Sequence, residues 1–85
     1  MIEGQNLIDQ ARHVAEEDGK VNEFDRAMET VHRITGAQNN RSLRVSHDHS
    51  LPKHSILAVI VKSDGSHFYT IGIVRHSDGS WSAHS

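Results

Sequence analysis

The chain has 85 residues, no cysteine and a formal net charge of −2. A domain of this length buries only about 60% of the surface its unfolded chain exposes. That leaves little room for a lidded cleft or multi-step catalysis, and composition rules out a disulfide framework. The longest apolar run, Ile56–Val61, is far too short to span a bilayer, and the N-terminus lacks a basic-then-apolar leader pattern. The expectation is one domain over residues 1–85, in a reducing, cytoplasmic setting, with no membrane association.

The first predicted helix covers about residues 6–18. Leu7, Ile8, Ala11, Val14 and Ala15 recur at the spacing of one helical face. Asn6 is placed to accept from first-turn amides, Asp9 suits the positive end of the dipole, and Gly19 breaks the helix. A second helix is expected over about 23–35, with Phe24, Ala27, Met28, Val31 and Ile34 as its stripe, Asn22 as N-cap and Gly36 as C-cap. The short Asp18–Val21 connection suits a helical hairpin.

Beyond a polar stretch over 36–41 the period changes from helical to alternating. Leu43 and Val45 alternate with Arg44 and Ser46, which predicts a short strand over about 42–46. β-Branched residues predict a strand over 54–62, then one over 67–75, and a last one over 81–84. Ser63-Asp64-Gly65-Ser66 and Ser77-Asp78-Gly79-Ser80 form the one internal repeat, read as successive hairpin turns. The predicted fold is α+β in the order ααββββ, with two N-terminal helices packed on one face of a three- or four-stranded antiparallel meander.

Both faces of the central strands read as apolar. Ile56, Ala58 and Ile60 oppose Leu57, Val59 and Val61. Two helices cover one face, so the other needs a second copy, another protein, or the first strand and the loop around Leu51. A homodimer formed through the sheet is the expectation.

Charge is divided along the chain. Residues 1–38 hold four Lys/Arg against eight Asp/Glu, and residues 39–85 hold five against three together with six of the eight histidines. Acids crowd the helix–helix turn, and Glu16, Glu17 and Glu23 with the aromatic residues Trp81 and Tyr69 are candidates for contact with a protein partner. Arg41, Arg44, Lys53, Lys62 and Arg75, with nearby aromatics, would serve nucleic acid instead, through phosphate contacts and base stacking. His47-Asp48-His49 has HxH spacing, and with His54 it offers three imidazoles for a metal such as zinc. His67, His76 and His84 flank the two hairpin turns, either as a cluster at one end of the sheet or simply as polar strand-end residues. Serine, histidine and aspartate recur together too often for any triad to stand out, so no catalytic residue and no cofactor is assigned. The reading is of a small regulator, adaptor or inhibitor acting by protein–protein contact, with nucleic-acid binding and histidine-based metal binding as alternatives.

Overall fold

The computed structural model describes residues 2–85. It confirms the α+β architecture and adds one strand. The elements are β1 (Ile2–Glu3), α1 (Gln5–Glu17), α2 (Val21–Gly36), β2 (Ser42–Ser46), β3 (Ile56–Val61), β4 (His67–Arg75) and β5 (Trp81–His84). The sheet runs β1-β2-β3-β4-β5; β1 is parallel to β2, and every later pair is antiparallel. The sheet is therefore a four-stranded meander with a short parallel strand on its first edge. β2 is the second strand of the sheet, one in from its first edge.

The helical stripes do what their spacing predicts. Ile8, Ala11 and Ala15 of α1 and Phe24, Ala27, Met28 and Val31 of α2 are buried in one cluster. They meet Leu43, Val45, Ile56, Ala58, Ile60, Ile71, Ile73 and Trp81 from a single face of the sheet. Trp81 closes the core edge-to-face against Phe24, with ring centroids 4.9 Å apart. Full burial of side chains such as Phe24 and Ile60 stabilises the fold by about 1.5–3 kcal/mol each.

The helix ends differ from expectation. α1 starts one residue before Asn6, and its N-cap is Gly4, at φ 93° with no side-chain cap. α2 starts at Val21 behind Lys20, so Asn22 lies inside the first turn and caps nothing. Gly36 is the last helical residue, and Ala37 is the C-cap. The α1–α2 turn is a Schellman motif: Gly19, at φ 70°, donates to Glu16, and Lys20 donates back to Ala15. At the far end of α2, Arg41 Nη1 donates to the Ile34 carbonyl at 2.8 Å, where the helix dipole favours a cation.

β3 is shorter than the predicted 54–62. His54 sits at φ 73°, in the left-handed region, so the extended run begins later, at Ile56. On β4 the register shifts between Ile60 and Val61, which pair with Tyr69 and His67 and leave Phe68 as the extra residue of a bulge. The face away from the helices carries Leu57, Val59, Val61 and Val74 around Gly72. Val59, Val61 and Val74 are only 8%, 4% and 8% exposed within the single chain, and the Leu51 methyl approaches Gly72 from the neighbouring loop. Short β-branched side chains flush with their neighbours, together with Leu51, already cover much of this face.

Candidate functional site

The sheet ends at β5, and no strand among the described residues pairs with its outer edge. In an antiparallel ladder, alternate residues turn their N–H and C=O toward the partner strand or away from it. The Trp81 amide donates to Glu23 Oε1 of α2 at 3.4 Å, so Trp81 is an outward residue. Ala83, two residues on, has the same orientation and is exposed. One edge amide is thus occupied by a carboxylate, while the next is open.

A groove runs along this edge between α2 and β5, with Glu23, Arg26 and Thr30 on the helix side and Trp81 and Ala83 on the strand side. Arg26 makes no ion pair or side-chain hydrogen bond among the described residues. The indole Nε1 of Trp81, itself 5% exposed, has no hydrogen-bond acceptor there either. A buried N–H without an acceptor costs about 1–3 kcal/mol. No family model, curated protein or solved structure matches this chain. The edge and its groove are therefore read from their own chemistry.

Of the residues proposed for a protein partner, Glu23 and Trp81 lie together at this groove. Tyr69 does not: it sits six residues down β4 from Arg75, the partner of Trp81, about 20 Å along the strand. Glu16 and Glu17 belong to an acidic region that Arg12, Lys20 and Arg75 offset in part. Glu16 pairs with Arg12 at 3.4 Å, Glu17 with His13 at 3.4 Å, Asp18 with Arg75 at 2.9 Å, Glu23 with Lys20 at 3.5 Å, and Asp25 with Arg12 at 2.9 Å. The Arg12 guanidinium, by hydrogen bond and by charge, holds the Asp25 carboxyl below its ordinary range.

Most of the proposed nucleic-acid set is engaged elsewhere. Arg44 pairs with Glu3 of β1, and Arg75 holds Asp18. Arg41 lies over the Phe68 ring at 3.8 Å while bonded to the end of α2, and Lys62 Nζ is 5.9 Å from the same ring. Lys53 lies apart from these, in the β2–β3 loop. One face of the most exposed aromatic ring is thus already covered by an arginine.

His47 and His54 line a groove against α1, beside Asp9 and His13. His49 does not line that groove, but all three histidines line a second, open groove along the β2–β3 loop. Among the described residues no three His, Cys, Asp or Glu side chains are gathered as a metal-ligand set, so His47, His49 and His54 are not assembled as one here. Of the three turn-flanking histidines, His76 and His84 meet, while His67 lies at the opposite end of β4. Arg26, Thr30 and Ala83 carry no sequence signal as groove residues. Only the pairing of α2 with β5 brings them together.

Proposed function

We propose that this protein is a small protein-binding module that docks another chain by strand addition at the outer edge of β5, and that its first occupant is a second copy of itself. The observation that carries the proposal is the open edge at Ala83 beside the α2 groove. An unpaired strand edge is a template for a further strand, with backbone hydrogen bonds supplying affinity and the flanking groove supplying selectivity. A two-fold pairing of β5 with β5 is self-complementary. Each copy contributes both Glu23 and unpaired Arg26 to the shared groove, so acid and base are available across the axis. Such a module acts by contact, as an adaptor or inhibitor of a larger assembly.

Sedimentation velocity over a concentration series, on the wild-type chain and on Ala83→Pro, tests this. Proline removes the outward N–H and is tolerated on an edge strand. The expected result is a wild-type dimer that dissociates on dilution and an Ala83→Pro protein that stays monomeric with its melting temperature kept. A wild-type monomer at every concentration would set self-pairing aside. A dimer indifferent to Ala83→Pro would place the interface away from β5.

A further inference from the structure

The β4–β5 hairpin gathers three polar side chains on the sheet face away from the helices. The register pairs Val74 with Ser82 and Gly72 with His84. Residues two apart share a face, so Ser82 and His84 project together, and His76 follows Val74 onto the same side. Glycine at 72 puts no side chain beside His84. His76 Nε2 lies 2.6 Å from Ser82 Oγ, and His84 Nε2 lies 2.7 Å from the same oxygen. The two rings are 6.0 Å apart at 77°.

A serine hydroxyl carries one proton, so one imidazole accepts from Ser82 while the other donates to it. What matters is the convergence: two imidazole nitrogens on adjoining strands point at one atom. We propose that His76 and His84 form a binding site for a late first-row divalent metal ion of the zinc, nickel or copper class, with the ion replacing the Ser82 hydroxyl as their common partner. Imidazole suits these metals. Bond lengths of about 2.0–2.1 Å draw both rings inward, which His84, exposed, and His76, half-buried, can do without moving the core. The imidazole that donates to Ser82 moves its proton to Nδ1, freeing Nε2 for the metal. Water fills the remaining positions, and Ser82 Oγ is left to hydrogen-bond a metal-bound water. Lys53 and Arg75 share the groove beside His76. Arg75 is balanced by Asp18, so Lys53 is the cation that opposes the ion.

The test is calorimetric titration of the full chain with zinc alone and with nickel alone, alongside imidazole nitrogen NMR. One equivalent is expected, with the resonances of His76 and His84 shifting together. His76→Ala and His84→Ala should each weaken binding by roughly tenfold or more. The His47→Ala/His49→Ala double variant should leave it unchanged. Circular dichroism on each variant checks that the fold is intact, and His84, exposed at the end of the last strand, is the safer of the two. Binding that survives both single variants, binding lost in the His47/His49 variant, or a weak uptake spread over many histidines would each overturn the proposal.

Discussion

Gly4 carries the chain from β1 into α1 at φ 93°, and a Cβ there would run into the Val45 carbonyl oxygen of the neighbouring strand. Gly65 sits at a similar φ of 87°, yet its missing Cβ faces open space. The two glycines separate two costs that sequence alone merges. Alanine at 65 meets only the left-handed backbone penalty, about 1 kcal/mol. Alanine at 4 meets that penalty and must also displace β2 backbone, so its loss should be larger, about 2–3 kcal/mol. Urea unfolding of Gly4→Ala and Gly65→Ala measures both. Equal losses would mean that β1 moves aside freely and adds little to the fold. Gly65 was legible because Ser-Asp-Gly-Ser announces a turn. Gly4 was not, because a close backbone approach from a strand some 40 residues away leaves no local mark.

At the scale of elements, the turns share a chemistry wider than the visible repeat. Asp64 Oδ1 accepts from the amide and hydroxyl of Ser66, and Asp78 does the same for Ser80. Asp48 repeats the arrangement with Ser50 in the β2–β3 loop, where the sequence had drawn attention to histidines. These bonds hold all three carboxyls below the ordinary aspartate value of 3.8, through the Ser50 amide first at Asp48 and through the serine hydroxyls first at Asp64 and Asp78. A folded-state pKa lowered in this way stabilises the fold above the unfolded value, and that stability is lost as pH falls through the folded value. Melting temperature should therefore decline below about pH 4. The triple variant Asp48→Asn/Asp64→Asn/Asp78→Asn keeps an acceptor oxygen in each turn but no longer titrates there, so its acid limb should be shallower. An identical acid limb would assign the decline to other carboxylates, such as Asp25. Helices and meander were readable because their periods extend over several turns or residue pairs. The two residues of β1 cannot display a period. The helix caps were misplaced because α1 is entered from a strand through glycine rather than through the polar Asn6.

The whole molecule resolves two ambiguities that composition could not. The acidic and basic halves look segregated in sequence, but the fold joins them: Arg75 of β4 holds Asp18 of the helical turn, and Arg44 of β2 holds Glu3 of β1. The candidate site was legible only as Glu23 and Trp81, since an open edge is a property of strand order. The two apolar faces, equivalent in sequence, are unequal in packing. Val45 belongs to the helix-covered cluster, whereas Val59, also buried, lies outside it. The same truncation on the two faces therefore reports what covers each. Val45→Ala leaves a cavity between sheet and helices and should cost about 2–3 kcal/mol. Val59→Ala opens onto a face shielded by single side chains that can settle, and should cost about 1 kcal/mol. Chemical denaturation at low and high protein concentration gives both values. A Val59→Ala loss that grows with concentration until it matches that of Val45→Ala would mean that a second copy seals the outer face. Association would then run through the face of the sheet rather than the β5 edge. A small loss, the same at both concentrations, would exclude that face and leave the proposed β5 edge to be decided by Ala83→Pro.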